Sequence, residues 1–182
     1  MKALLSKVAG GPETLVLEEV ADPVPGPGEV RIAVKACAVN FPDVLVIQDL
    51  YQFKPQRPFA PGSEIAGVID MVGEGVTKWK VGDRVLTPTA SSGGMAELKV
   101  VDQNSPFALP DDRSYAEGAS LLLTYGTTIH ALLDRGDAKA GETMLVLGAA
   151  GGVGVSAIEL GKALGMRVVA AVSSEEKAEF CK

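Results

Sequence analysis

The stretch 143-TMLVLGAAGGVGVSAIELGKALG-165 decides the reading of this chain. Its first residues, Thr143–Leu147, are almost wholly apolar, as in a strand buried on both faces. A loop of glycine and alanine, Gly148–Gly154, is broken only by Val153. Helical apolar spacing follows, and then a second apolar run, 167-RVVAAVS-173. The order is strand, glycine loop, helix, strand, which is a βαβ unit.

Glycine serves where backbone turns at positive φ or lets another group approach closely. A glycine turn feeding a helix N-terminus offers free N–H groups and a positive dipole end to an anion. Here the expected anion is a dinucleotide pyrophosphate, resting on Ala150, Gly151, Gly152 and Val153. Gly154 is expected to let the helix lie close to the strand, with Ile158, Gly161 and Gly165 on the same face. The loop departs from G-x-G-x-x-G at Ala149, while Gly151 and Gly154 keep their places. The alternative is a tight βα turn that binds nothing. Strand, helix and second strand at the right spacing favour the dinucleotide. At the end of the second strand an NAD site carries an acid for the ribose 2′-hydroxyl. This chain has Val172 there, followed by Ser173 and Ser174, with Lys177 one turn further on. Hydroxyls and an ammonium suit a 2′-phosphate and favour NADPH, although Glu175 and Glu176 oppose it. The competing reading leaves Lys177 as a solvated helix residue.

Upstream the texture differs. Segments 14-TLVLEEV-20 and 29-EVRIAVKACAV-39 alternate apolar and polar residues, and a Pro/Gly-dense turn, 21-ADPVPGPGEV-30, separates them. Further strands are expected in 64-EIAGVIDMVGEGV-76, 83-DRVLTPT-89 and 93-GGMAELKVV-101. Only 41-FPDVLVIQDL-50 breaks the pattern, and Pro42 can start a short helix. Many short strands with glycine punctuation predict a small antiparallel barrel. Between barrel and βαβ unit, 114–136 has helical spacing, with Ser114 and Glu117 as a capping box. Gly126 is expected to divide or bend it. The domain boundary is placed at residue 121, giving 1–121 and 122–182.

Bulk properties exclude several classes. The 182 residues carry a formal net charge of −6, which disfavours nucleic acid and anionic membranes as partners. Two distant cysteines, Cys37 and Cys181, form neither a disulfide framework nor a metal cluster and fit a reducing cytoplasm. With no signal peptide or long apolar segment, a cytoplasmic protein is expected.

Taken together, 39-VNFPDVL-45, 61-PGSEIAGVIDMVGEGV-76, 81-VGDRV-85 and the AAGGVG loop resemble the medium-chain dehydrogenase/reductase superfamily. The resemblance is to its zinc-independent, zeta-crystallin-like quinone oxidoreductase branch. It implies an α/β protein with a mainly-β N-terminal part: a GroES-like, partly open barrel (the catalytic domain) followed by the first βαβ unit of a Rossmann fold. Zinc enzymes of the superfamily carry a cysteine where this chain has Asn40, and a histidine within GHE where it has Gly62-Ser63-Glu64. Their cysteine-rich structural lobe is replaced by 87-TPTASSGGMAEL-98, and His130 is the only histidine. A catalytic zinc needs about three protein ligands, so no metal is expected.

Without zinc, an acceptor that is already electrophilic is required. The resemblance implies hydride transfer from NADPH to a quinone or other α,β-unsaturated carbonyl. Asn40 is the candidate contact for nicotinamide or carbonyl, Tyr51 lines the acceptor pocket, and Thr128 matches a cofactor-facing threonine. Asn40 as a mere helix cap and Tyr51 as a merely half-buried ring stay open as alternatives. A homo-oligomer, as a dimer, is expected. An enoyl-thioester reductase and a non-catalytic NADPH-binding protein are the rival functions. A doubly wound domain has about six strands and this chain supplies two, so it is expected to be truncated within the Rossmann domain. Such a fragment is expected to turn over little and to self-associate through the open edge of its first strand.

Overall fold

The computed structural model describes residues 1–90 and 92–182. Ser91, inside the 87–98 stretch discussed above, lies outside the described residues. The chain divides into two compact units, Met1–Ser120 and Leu121–Lys182.

The first unit is built from short antiparallel strands, as its alternating pattern predicts. Strands β1 (Lys2–Ser6) and β2 (Leu15–Glu19) form a two-stranded ladder. Five others form a sheet in the order β6-β3-β4-β5-β7: β3 (Glu29–Cys37), β4 (Glu64–Val72), β5 (Arg84–Pro88), β6 (Leu98–Asp102) and β7 (Phe107–Ala108). Single bridges, Ala3 with Ala96 and Ser6 with Phe59, tie β1 to the rest. β6 and β7 remain edges, so the barrel is only partly closed. Side chains of Val30, Ile32, Ile65, Ile69, Val85 and Val101 meet in one core cluster. Each such burial is worth about 1.5–3 kcal/mol. Register is fixed because Ile32 faces Ile69 and Val30 faces Val101; a slip of one residue would turn both outward. Across β3 and β4, Arg31 donates to both carboxylate oxygens of Asp70, each at 3.0 Å.

After β3 the chain enters helix α1 (Phe41–Ile47) with Pro42 in its first turn, where a missing N–H costs nothing. Helix α2 (Tyr115–Ala119) begins at Ser114, whose Oγ accepts from the Glu117 N–H at 3.2 Å. The break that the sequence places at Gly126 falls instead at Ser120 and Leu121. The Ser120 hydroxyl donates back to the carbonyls of Ala116 and Glu117, both at 3.1 Å, and competes with continuation of the helix. Gly126 lies within helix α3 (Leu122–Ile129), which runs on into a π-helical turn, His130–Arg135.

In the second unit, β8 (Thr143–Leu147), α4 (Gly152–Ala163) and β9 (Arg167–Ala171) form the expected βαβ unit. The two strands are parallel, with Thr143 opposite Arg167 and Leu147 opposite Ala171. Helix α5 (Glu175–Phe180) follows. Gly161 meets the strands where an added Cβ would collide with Met144 Cε. One expectation is corrected: β8 is not buried on both faces. Val146 is buried, but Leu145 and Leu147, which alternate with it and point to the other face, are exposed; α4 packs on the face of Met144 and Val168. Among the described residues, no helix is long and apolar enough to cross a membrane.

Candidate functional site

The glycine loop of the second unit borders a cleft of about 460 Å³. Gly148, Ala150 and Gly151 line it from the loop, Val172 and Ser173 from the end of β9, and Lys177 from α5. Loop geometry follows from its small residues. Gly148 turns the chain out of β8 at φ +63°, a conformation that favours glycine. The Ala149 N–H donates to the Ala171 carbonyl at 3.2 Å, which closes the loop onto β9. At Gly154 a Cβ would lie 2.6 Å from the carbonyl oxygens of both Gly148 and Ala149, so the fold itself requires glycine there.

Gly151 is different. It caps α4 with φ −82° and ψ 165°, which any residue adopts, and it is exposed. A Cβ added there meets nothing closer than 3.4 Å. Neither backbone strain nor internal packing accounts for its missing side chain. The first N–H groups of α4 have no intrahelical acceptor, and Gly151 immediately precedes them. A cradle of this shape fits a pyrophosphate.

Polar groups at the far end of the cleft suit a further phosphate. Lys177 Nζ donates to Ser173 Oγ at 3.2 Å. Ser174 caps α5 by accepting from the Lys177 N–H at 3.3 Å. Of the cofactor candidates, Ala150, Gly151, Ser173 and Lys177 line the cleft; Gly152 and Val153 form the first turn of α4. Thr128 does not line it. This residue is buried, and its hydroxyl shares a 2.6 Å hydrogen bond with Ser156 Oγ of α4.

The remaining candidates, Asn40 and Tyr51, belong to the first unit. Tyr51, beyond the C-terminal end of α1, packs against a cluster of Val46, Ile47 and Phe59. Asn40 precedes α1 and is held at two points. Its N–H donates to Asp43 Oδ2 at 2.8 Å, and its Nδ2 donates to Glu64 Oε1 at 3.0 Å. Asp43 Oδ1 accepts in turn from Ser63 Oγ at 2.5 Å. Asn40, Asp43, Ser63 and Glu64 thus close a ring across α1 and the start of β4. Both carboxylates are buried, Asp43 at 3 % and Glu64 at 1 % exposure. Only part of this ring shows in the sequence: Asp43 stands three residues after Asn40, the spacing of a capping box. Ser63 and Asp43 are twenty residues apart, and no local pattern pairs them.

Cys37 lies beside the ring. Burial, reinforced by the Asp43 and Glu64 carboxylates, pushes its thiol up to about 12. It is therefore a neutral thiol at pH 7, neither a nucleophile nor a ready metal ligand. Among the described residues, no group of three or more His, Cys, Asp or Glu side chains is placed to hold a metal ion.

Comparison with known proteins agrees with this architecture. Residues 26–111 match the alcohol dehydrogenase GroES-like domain. Quinone oxidoreductase of Lama guanicoe is 40% identical over 177 residues, covering 97% of this chain and 54% of that protein. The crystal structure of quinone oxidoreductase from Pseudomonas syringae pv. Tomato superposes with a TM-score of 0.90 at 38% identity, covering 99% of this chain and 55% of that one. Quinone oxidoreductase from Thermus thermophilus, solved also in complex with NADPH, gives a TM-score of 0.86 at 35% identity, covering 97% of this chain and 55% of that one. The chain spans about half the length of the quinone oxidoreductases it matches. Its fold is α/β, with a mainly-β GroES-like part followed by the opening βαβ unit of a Rossmann-like domain.

Proposed function

The chain belongs to the medium-chain dehydrogenase/reductase superfamily, in its quinone oxidoreductase branch, and on that premise we propose that it serves NADPH-dependent reduction of a quinone or another α,β-unsaturated carbonyl, without zinc. Gly151 carries this reading: an exposed glycine where a Cβ would meet no atom closer than 3.4 Å, on the lining of a cleft and at a helix N-terminus. Ser173 and Lys177 on the same cleft, with Val172 where an NAD site carries an acid, favour the 2′-phosphorylated cofactor. Bound NADPH supplies a hydride.

The roles of the chain's own groups follow from their chemistry. Ala150, Gly151, Gly152 and Val153 seat the pyrophosphate, and Ser173, Ser174 and Lys177 take the 2′-phosphate. Thr128 contributes by fixing α4, on whose first turn the pyrophosphate rests. Asn40 contacts the reacting end of cofactor or acceptor, and Tyr51 lines the acceptor pocket. A quinone accepts a hydride and one proton from solvent to give the hydroquinone, so no Lewis acid is required. Zinc is disfavoured by the site itself. Asp43 and Glu64 are engaged by Ser63 and Asn40, and the Cys37 thiol stays protonated, whereas zinc takes thiolate. A homo-oligomer belongs to the same reading and is checked by light scattering.

The test, made on a chain that spans the full length of its relatives, is loss of NADPH absorbance with a panel of quinones, enones and a crotonyl thioester, repeated with NADH and after metal chelation. Quinone reduction that prefers NADPH and survives chelation supports the proposal. Turnover confined to the thioester, or abolished by the chelator, contradicts it.

A further inference from the structure

We propose that Glu64 is a positioning residue that sets the orientation of the Asn40 amide; this rests on the reading that Asn40 contacts the bound molecules. An ionised carboxylate only accepts, whereas a carboxamide has a donor nitrogen and an acceptor oxygen of nearly the same shape. Glu64 Oε1 lies 3.0 Å from Asn40 Nδ2. Only the orientation with nitrogen toward Glu64 makes that bond. The flipped amide would set oxygen against oxygen.

The backbone on which the amide is mounted is fixed by the other acid. Asp43 accepts from the Asn40 N–H and from Ser63 Oγ, so the two oxygens of one carboxylate on α1 join the start of that helix to the start of β4 beside the amide. Glu64 is 1 % exposed, whereas Asn40 is half-buried. The amide nitrogen is therefore drawn inward, and the amide oxygen lies toward the Asp43 backbone N–H, as in a capping box. A buried acid is a poor device for stability alone, since apolar residues of similar volume commonly serve as well or better. Here it supplies what an apolar residue cannot, a fixed sense for the group that meets the ligand.

The test uses Glu64→Gln, which keeps size and shape but can donate as well as accept. The Asn40 amide then satisfies it in either orientation. In the wild type the Asn40 side-chain NH₂ gives one pair of amide resonances; in Glu64→Gln this pair is expected to double or broaden, with the melting temperature held within a few degrees. In turnover by a chain that spans the full length of its relatives, kcat/KM for the acceptor is expected to fall about tenfold while KM for NADPH changes less than twofold. Glu64→Asp, which keeps an acceptor-only partner on a shorter arm, is expected to restore the single resonance pair. A single unshifted pair in Glu64→Gln, with unchanged kcat/KM, overturns the proposal. Asn40→Ala separates the two claims. If it leaves turnover intact, the role given to Asn40 fails; if it lowers turnover and Glu64→Gln does not, the role given to Glu64 fails.

Discussion

The hydroxyls of Thr128 and Ser156 meet at 2.6 Å between α3 and α4, with both residues at 3 % exposure or less. Ser156 Oγ also contacts the Val153 carbonyl at 2.9 Å. One end of this pair sits in the helix whose first turn borders the cleft. Removing one partner strands the other in the interior, at a cost of about 1–3 kcal/mol. Ser156→Ala is therefore expected to lower the stability of the second unit by that amount, read by urea denaturation. The Thr128→Val, Ser156→Ala double variant is expected to recover part of the loss, because no hydroxyl is left unpaired. Equal and additive losses would show that the two do not act together.

Gly151 and Gly154 separate function from fold. Gly151→Ala adds a methyl group with no neighbour closer than 3.4 Å, and its cost to the fold is the helix-cap preference for Gly over Ala, about 1 kcal/mol. It is expected to lower the melting temperature by only a few degrees and to weaken dinucleotide binding about tenfold or more, by keeping phosphate off the helix N-terminus. Gly154→Ala forces a Cβ to 2.6 Å from two carbonyl oxygens and is expected to destabilise by about 1–3 kcal/mol, as overpacking does. Calorimetry of the two variants, paired with ligand titration, checks both. Equal loss of stability in both would remove the argument from Gly151.

How far such features can be read in advance depends on their range along the chain. The βαβ unit is legible because one local stretch changes from an apolar run to glycine to helical spacing, and α1 because Pro42 marks its first turn. The helix break is not legible. Gly126 carries the stronger breaking signal, yet the Ser120 hydroxyl wins by bonding its own backbone. Exposure of Leu145 and Leu147 is set by which face of the sheet α4 covers, which a five-residue pattern does not encode. The pairing of Ser63 with Asp43, and of Glu64 with Asn40, depends on β4 returning beside α1. Asn40 is legible as a candidate and Asp43 by its capping-box spacing, but the bonds from Ser63 to Asp43 and from Asn40 to Glu64 are not.

Cys37 gives a pH-dependent prediction. Its thiol is raised from an ordinary value of 9.0 to about 12, by burial first and by Asp43 and Glu64 second. The folded chain therefore holds a proton that the unfolded chain releases. The contribution is complete below pH 9 and is lost as pH rises from 9 to 12. Cys37→Ala is expected to show a shallower fall of melting temperature across that window than the wild type, whatever its stability at pH 7. Parallel slopes would mean that the thiol ionises freely in the folded protein.

The most direct test of the central claim, that the cleft recognises a 2′-phosphorylated dinucleotide, is the ratio of dissociation constants for ADP-ribose and 2′-phospho-ADP-ribose, measured by calorimetry on the wild type and on Lys177→Ala. A charge-assisted hydrogen bond to phosphate is worth about 1.5–3 kcal/mol, so the wild type is predicted to prefer the 2′-phosphate by about tenfold or more, and Lys177→Ala to lose most of that preference while binding ADP-ribose as before. Equal affinity for the two ligands in the wild type, or a preference that survives Lys177→Ala, would contradict it.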